Sequence, residues 1–166
     1  LPDAKIHYIE GNHESRLGRA TLSNIPALHG ALDWPSLMAF DELGVNWYKD
    51  KPLVIGDTLF THGNYTSVHH AKKMGEVFRQ NVVYGHTHKC QFFSRGYGYD
   101  NGIIQSWGMP CMRTMQPHWL HGAPSGWTQG FGYHLLDPAT EKLHTQLILA
   151  QHGIFAWGGK LYRPCS

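Results

Sequence analysis

Three short motifs contain the side chains best suited to chemistry in this sequence. Asn12 and His13 lie in a Gly-Asn-His-Glu segment, His62 precedes a glycine, and His86 and His88 lie in a Gly-His-Thr-His segment. Each motif follows a short apolar run, which predicts a buried strand that ends near the glycine. The sequence therefore predicts an amide and several imidazoles at strand ends. Neutral nitrogen and oxygen donors of this kind bind borderline divalent ions.

The spacing of these residues predicts separate roles for them. His86 and His88 are one residue apart on a turn, so both rings can converge on a pair of ions, while Asn12 and His62 arrive from neighbouring strands. His13 is not needed as a ligand, and an imidazole near neutral pH can protonate a leaving alkoxide. Ions that bridge phosphate oxygens and lower the pKa of a bound water would supply the nucleophile.

Two further polar residues lie beside the motif tips. Arg16 follows the first motif and Asn64 follows the His-Gly pair. Both are candidate substrate-binding residues because their side chains donate hydrogen bonds to phosphate oxygens, with a plain surface role as the alternative. Asp57 is a carboxylate, but Gly56-Asp57 predicts the two-residue turn of a hairpin whose tip faces away from His62.

Length and composition restrict the class of protein. The chain has 166 residues, of which 42% are hydrophobic and 16% charged, so we expect one soluble domain over 1–166. The net charge of +2 gives no argument for nucleic-acid binding by charge alone. Three cysteines without a CxxC pair, no secretory signal and no apolar run of spanning length predict a cytoplasmic protein with reduced thiols and no membrane partner.

Helical and strand patterns alternate along the first half of the chain. Apolar spacing predicts helices over 14–28, 33–44 and 66–80, with Asp33 and either Thr66 or Ser67 as N-caps. The sequence also predicts a hairpin over 53–60 and an antiparallel pair of strands over 91–94 and 103–107. Single strands are predicted over 4–9, 45–48, 81–84, 131–136, 143–150 and 154–157. This order predicts a layered α/β sandwich with a β-rich tail.

Two irregular segments complete this outline. A Gly-rich loop with a turn at Asp100 and Asn101 joins strands 91–94 and 103–107. The segment 108–130 has no periodicity and predicts a long loop, a type of segment that often forms lids or binding surfaces. Its aromatic side chains either stack on a base or sugar or pin the loop to the core. They are Trp107, Trp119 and Trp127.

The three motifs, in this order, resemble those of the calcineurin-like metallophosphoesterase superfamily over roughly residues 6–88. The resemblance implies an α/β fold, a four-layer αββα sandwich, with a dinuclear centre of Mn, Fe, Zn or similar divalent ions. It implies that Asn12, His62 and His86 bind one metal and His88 the other, with His13 as the catalytic histidine. The implied reaction is hydrolysis of a phosphoester substrate.

Other residues narrow the resemblance to particular branches. Glu10 precedes the first motif, where the serine/threonine phosphatase branch has an arginine, and that branch does not use Gly-His-x-His. The chain therefore resembles the phosphodiesterase and nuclease branches more closely. The segments 127–131 and 159–162 also resemble phage-encoded members of the superfamily.

Two motifs of the superfamily, Asp-x-His and Gly-Asp-x-x-Asp, do not occur before Gly11. In the family they supply the remaining ligands of the first metal and the carboxylate that bridges both ions. By the resemblance, this chain alone binds at most one ion well. We therefore expect it to be the C-terminal part of a metallophosphoesterase domain, completed by a missing N-terminal segment or chain.

Two alternatives to a phosphodiesterase or phosphatase stay open. One is a catalytically silent scaffold with this fold, which the missing motifs favour and the retained Asn12, His13 and three further histidines oppose. The other is a DNA nuclease of the same superfamily. The basic side chains that permit nucleic acid as a partner without requiring it are Lys72, Lys73, Arg79, Arg95 and Arg113.

Overall fold

The computed structural model describes residues 3–28, 32–98, 102–113 and 115–164. It is a mixed α/β structure, rich in strands and with few helices, which confirms the predicted α/β class. The chain divides into two compact units, residues 1–53 (unit 1) and residues 54–166 (unit 2). Among the described residues, no helix is both long enough and apolar enough to cross a membrane.

Unit 1 contains the two strands that the sequence predicts, β1 (Ile6–Ile9) and β2 (Val45–Tyr48), and the structure pairs them in parallel. Helix α1 (Glu14–Asn24) begins shortly after β1, and a 3-10 turn at Pro26–Leu28 follows it. The helix ends before this proline because proline has no backbone N–H to continue the hydrogen-bond ladder. The first motif is therefore the connection between β1 and α1.

The helix predicted over 33–44 is wrong beyond its first turn. Helix α2 covers only Trp34–Leu37, although Asp33 is its N-cap and accepts a hydrogen bond from the Ser36 backbone N–H at 3.2 Å, as predicted. Shortly after α2, Ala39 adopts a left-handed conformation with φ of 52°. Of the predicted apolar stripe only Phe40 is buried. The helix is short because most of its apolar side chains find no packing partner that would stabilise further turns.

A five-stranded sheet lies at the centre of unit 2. Its strands are β3 (Leu53–Ile55), β4 (Thr58–Thr61), β5 (Asn81–Tyr84), β6 (Gln91–Tyr97) and β7 (Gly102–Gly108), in the spatial order β3-β4-β5-β7-β6. Strands β4, β5 and β7 are parallel, and β6 runs antiparallel to β7. The predicted strands are confirmed, and β6 and β7 are longer than expected. The predicted turn at Asp100 and Asn101 lies outside the described residues.

Helix α3 (His70–Phe78) packs against β5, β6 and β7. Its side chains Ala71 and Met74 join Leu59, Val82 and Tyr84 in the core of unit 2. The helix starts later than predicted, and neither Thr66 nor Ser67 is its N-cap, a position that His69 occupies without a side-chain hydrogen bond. Instead, Gln91 Oε1 from β6 accepts a hydrogen bond from the Ala71 backbone N–H at 2.7 Å. A distant side chain thus replaces the local cap.

Two antiparallel hairpins form the tail. Strands β8 (Gln129–Asp137) and β9 (Lys142–Ala150) pair over nine residues each, and β10 (Phe155–Trp157) pairs with β11 (Lys160–Tyr162). The structure confirms the β-rich tail and the strands predicted over 131–136, 143–150 and 154–157, whereas β11 was not predicted. The Phe155 ring packs on Phe131 at 5.2 Å and stacks on Tyr162 at 4.9 Å between ring centroids. Aromatic contacts therefore connect the second hairpin to the first.

Candidate functional site

The carboxyl ends of β4, β5 and β7 lie at one edge of the five-stranded sheet, because these strands are parallel. Thr61 pairs with Tyr84, so the residues that follow them, His62 and Gly85, are neighbours. The Gly85 N–H donates a hydrogen bond to the His62 carbonyl at 3.0 Å. Open α/β sheets bind ligands outside the carboxyl ends of their strands. We call this edge, which includes His62, His86 and His88, the histidine edge.

A glycine follows His62 for a steric reason. Gly63 has a φ of +88°, a conformation that residues with a Cβ atom rarely adopt. A Cβ atom at this position would lie 2.9 Å from Cδ2 of Tyr84, whose side chain is fully buried. Glycine therefore allows the chain to turn tightly against the Tyr84 ring directly after His62.

The structure brings His62 and His86 together. Nε2 of His62 lies 3.1 Å from Nδ1 of His86, and the two half-buried rings meet edge to face with their centroids 5.0 Å apart. Two nitrogen ligands bound at about 2.0–2.1 Å to one ion are separated by about 3.0 Å in octahedral and about 3.4 Å in tetrahedral geometry. The pair therefore has the spacing of two ligands of one metal ion. Without an ion, one ring N–H donates to the other ring.

The tip that contains His86 and His88 has an unusual backbone. The φ angles of these two residues are 70° and 59°, in the left-handed region. This conformation costs roughly 1–2 kcal/mol for a residue with a Cβ atom. The turn between them is closed by a hydrogen bond from the Thr87 N–H to the Gly85 carbonyl at 2.9 Å. Backbone strain of this kind is concentrated at functional sites, where the surrounding structure maintains it.

The loop between β7 and β8 holds His88 in place. Within this loop Thr128 donates its backbone N–H to the His88 carbonyl at 2.9 Å, and its hydroxyl accepts a hydrogen bond from the Cys90 N–H at 2.7 Å. The Trp127 ring meets the His88 ring edge to face at 4.7 Å between centroids. The predicted long loop is confirmed: the only helical segment among its described residues is a short 3-10 turn, His118–Leu120, and Cys111 forms an isolated bridge with Gln129. This loop is therefore part of the histidine edge.

The three tryptophans of this region have different environments. Trp107 lies in β7 with only 4% of its surface exposed, and Trp127 packs on His88. For both, the packing interpretation of the sequence is the one that the contacts support. Trp119 differs because 47% of its surface is exposed. An exposed indole in the loop next to His88 is available to a ligand.

Asn12, His13 and Arg16 belong to unit 1, at the connection between β1 and α1. Glu14 fixes this turn: its carboxylate accepts hydrogen bonds from the Tyr8 hydroxyl and the Gly11 N–H, both at 2.9 Å. Asn12 is half-buried, while His13 and Arg16 are exposed. Burial, followed by the Glu14 carboxylate, raises the pKa of Tyr8 to about 12, so its hydroxyl stays a donor. Sequence reasoning gave Glu14 no role, and the structure assigns it the closure of this turn.

The two other polar residues of unit 2 that the sequence offered as candidates, Asn64 and Asp57, have different environments. Asn64 is exposed in the loop after Gly63. Asp57 precedes β4, whereas His62 follows it, which confirms that the hairpin tip faces away from His62. Its carboxylate accepts hydrogen bonds from the Asn81 side chain at 2.9 Å and from the Leu143 N–H at 3.1 Å. These bonds make Asp57 a structural residue.

A buried polar pair that sequence reasoning missed lies beneath the sheet edge. His70 Nδ1 and the Tyr84 hydroxyl form a 2.5 Å hydrogen bond in the core of unit 2. Burial, and secondarily the positive charge of Lys89, lowers the pKa of His70, and burial raises the pKa of Tyr84. Both groups are therefore neutral at neutral pH. Burial also raises the pKa of the Cys90 thiol, which opposes a role as a nucleophile.

Unit 1 contains a cavity of about 420 Å³ that the sequence did not predict. Its walls include Trp34 and Trp47 and four carboxylates, against two basic side chains, Arg19 and Lys49. Burial, the largest cause, raises the pKa of Glu10, one of these carboxylates. An acidic lining repels phosphate, so this cavity is a poor candidate for a phosphoester site. The carboxylates are Glu10, Glu14, Asp33 and Asp50.

Within the described ranges, no group of three or more His, Cys, Asp or Glu side chains is arranged to hold a metal ion. The His62–His86 pair is a two-ligand arrangement, and further donors are needed to complete a coordination shell. Comparison with known proteins found no matching family model, no matching curated protein and no matching solved structure.

Proposed function

We propose that this chain is part of a metal-dependent phosphoester hydrolase of the calcineurin-like metallophosphoesterase type. The observation that supports this most directly is the 3.1 Å separation of His62 Nε2 and His86 Nδ1 at the carboxyl ends of parallel strands. The motif resemblance assigns the same two side chains to one metal. The proposal includes the four-layer αββα sandwich for the complete domain and a cytoplasmic location.

The donor chemistry fits a borderline divalent ion such as Mn, Fe or Zn. His62, His86 and Asn12 would hold one ion, and His88 would hold a second. When bound, such ions polarise phosphate oxygens and lower the pKa of the attacking water. The ligand set of two imidazoles and one amide carries no charge of its own. Carboxylates from the two motifs absent before Gly11 would balance the charge of the ions.

The chain's own groups then bind and protonate the substrate. His13 is exposed at the N-terminus of α1, and its ring takes no part in capping that helix. It donates a proton to the leaving alkoxide, a role that contributes about 10²–10⁴-fold to rate in enzymes of known mechanism. Arg16 and Asn64, both exposed, donate hydrogen bonds to the non-bridging phosphate oxygens.

Metal binding is the first test. We expect calorimetric titration of the chain with Mn²⁺ to show one well-bound ion. His86→Ala and His62→Ala should each lower the affinity at least tenfold. His144→Ala, at an exposed position in β9, is the matched control and should leave it unchanged. Equal affinities in all four proteins would refute the proposed centre.

Hydrolysis is the second test. We expect release of p-nitrophenol from bis(p-nitrophenyl) phosphate that requires Mn²⁺ and is lost in His86→Ala. His13→Ala should retain the bound ion and lose hydrolysis, because it removes the acid and not a ligand. Metal binding without turnover in a chain that also carries the Asp-x-His and Gly-Asp-x-x-Asp motifs would favour the silent scaffold instead.

A further inference from the structure

An arginine lies on two tryptophan rings in the loop next to His88. The Arg113 guanidinium is 4.3 Å from the centroid of the Trp119 ring and 5.2 Å from that of Trp127. The two indole rings are 6.2 Å apart. A planar guanidinium on an aromatic face keeps its N–H edge free to form paired hydrogen bonds with an oxyanion. We call Arg113, Trp119 and Trp127 the arginine platform.

The platform is attached to the candidate metal centre by several contacts. The Trp127 ring meets the His88 ring, and the next residue, Thr128, donates its N–H to the His88 carbonyl. The N–H of Cys111, two residues before Arg113, donates to the Thr128 carbonyl at 2.9 Å. Arg113, by way of Cys111, and Trp127, as the preceding residue, are therefore both connected to Thr128. Thr128 in turn connects them to His88. A group bound on the platform would lie beside His88.

Arg113 has no salt-bridge partner among the described residues. Three of the four described carboxylates of unit 2 have partners elsewhere: Glu76 pairs with Lys72, Asp57 accepts from the Leu143 N–H, and Asp137 accepts hydrogen bonds within its own turn. The fourth described carboxylate, Glu141, forms no salt bridge with Arg113. An unpaired guanidinium beside a candidate phosphoester site favours an anionic ligand.

Trp119 adds a second kind of recognition. Its ring stays 47% exposed although Arg113 lies against it. An exposed indole next to an unpaired guanidinium matches the two parts of a nucleotide, the flat base and the phosphate. Aromatic stacking requires a base that is not already stacked in a duplex, and it is tolerant of sequence because every base has a π-face.

We propose that the arginine platform binds an unpaired nucleotide, with the base on Trp119 and the adjoining phosphate on Arg113. If the chain is the proposed hydrolase, the phosphoester that it hydrolyses is a phosphodiester of a single-stranded nucleic acid. This consequence rests on the proposed function. Arg113 and Trp119 are binding residues in this assignment, and neither takes part in proton transfer. Binding itself needs no metal ion, so it is measurable apart from hydrolysis.

The test measures fluorescence anisotropy of labelled oligonucleotides in EDTA with the full chain. We expect oligothymidylate to bind more tightly than an abasic strand of the same length and charge. Trp119→Leu should weaken oligothymidylate binding about tenfold and leave the abasic strand unaffected, because stacking is lost and charge is not. Trp119→Phe should restore most of the difference. Oligouridylate in parallel distinguishes RNA from DNA as the source of the nucleotide.

Arg113→Gln should weaken binding of both strands by the same factor. It should also reduce the slope of log K against log salt by about 0.7, the value for one phosphate contact on a single strand. The matched controls are Trp157→Leu, an exposed indole in β10, and Arg163→Gln, an exposed arginine after β11. Both controls should bind like the unmodified chain.

Three results would overturn the inference: equal binding of base-bearing and abasic strands, equal binding of duplex and single strands, or no effect of Trp119→Leu. Its failure is distinguishable from failure of the proposed function, which is tested by Mn²⁺ titration and His86→Ala. Oligothymidylate binding without metal binding would support the platform and refute the hydrolase. Metal binding without oligonucleotide binding would support the hydrolase and refute the platform.

Discussion

The two ends of the central sheet in unit 2 use polar side chains in opposite ways. At the amino end of β4, both Asp57 carboxylate oxygens accept hydrogen bonds, from Thr58, Asn81 and Leu143. At the carboxyl end, His62 and His86 place two ring nitrogens 3.1 Å apart. At the amino end the polar groups form hydrogen bonds within the fold, whereas at the carboxyl end two imidazole nitrogens lie at the spacing of metal ligands.

This difference shows how to distinguish a structural polar residue from a functional one. Gly56-Asp57 and Gly85-His86 are similar as sequence, since each places a polar residue after a glycine next to a β-strand. Strand direction separates them, because ligand sites in open α/β sheets lie at carboxyl ends. If the comparison is correct, substitutions at the Asp57 end should change stability alone, whereas those at the histidine edge should also change metal binding.

The largest effect should come from Gly63 at the histidine edge. Gly63→Ala introduces a Cβ at φ +88° and 2.9 Å from the buried Tyr84 ring, so we expect a loss of about 3 kcal/mol in the free energy of unfolding. Gly85→Ala is the matched control, because its Cβ would meet nothing closer than the His62 carbonyl oxygen at 3.7 Å. Urea denaturation of the two variants measures the difference. Similar losses in both would contradict the turn geometry described for His62.

Removal of Asp57 should have the next largest effect. Asp57→Ala leaves the Leu143 N–H and the Asn81 side chain without their acceptor, and we expect a loss of about 1–2 kcal/mol in unfolding free energy. Mn²⁺ affinity should not change. His86→Ala should show the opposite pattern, with affinity lost and stability maintained. A fall in Mn²⁺ affinity in Asp57→Ala would mean that the amino end of the sheet also contributes to metal binding.

The buried His70 predicts a pH effect of intermediate size. Because burial and Lys89 lower its folded-state pKa, the unfolded chain binds a proton at a higher pH than the folded chain does. Stability should therefore fall as the pH decreases below about 6.5, by no more than about 1.4 kcal/mol per pH unit for each such histidine. His134, whose pKa burial also lowers, acts in the same direction.

Urea denaturation between pH 7.5 and 5 measures this slope. His70→Asn keeps a polar group near Tyr84 and removes the titration, so the slope should become shallower. A slope that is the same in the unmodified chain and in His70→Asn would mean that His70 accepts its proton equally well in the folded and unfolded states.

Strand positions and the His62–His86 pair could be predicted from sequence because they depend on local patterns and on one rule of sheet geometry. Apolar runs that end at glycine marked β4 and β5, and parallel pairing then placed His62 beside Gly85. Asp57 was excluded as a metal ligand by the same reasoning. The strands of the tail followed from alternation of apolar and polar residues.

Other features depend on contacts that a local pattern does not contain. Helix α2 ends early because its apolar side chains remain exposed, and α3 is held at its start by Gln91 from a distant strand. The stacking of Arg113 on two tryptophans and the bond from Thr128 to His88 join residues up to 40 positions apart. Sequence reasoning named Trp119 and Trp127 as candidates for stacking but could not separate the exposed ring from the packed one.

The smallest effect compares left-handed residues at the two ends of the sheet. Arg79 ends α3 with φ of 53° before β5, and His86 has φ of 70° after β5. Glycine relieves about 1 kcal/mol of backbone strain at such positions and increases the entropy of the unfolded chain, so we expect a net gain of about 0.5 kcal/mol at each. Arg79→Gly should gain this stability without any change in Mn²⁺ affinity, whereas His86→Gly should gain it and lose the ion. Denaturation and titration of both variants test whether strain at the histidine edge is maintained for metal binding, and a loss of stability in His86→Gly without added metal would show that its ring stabilises the fold instead.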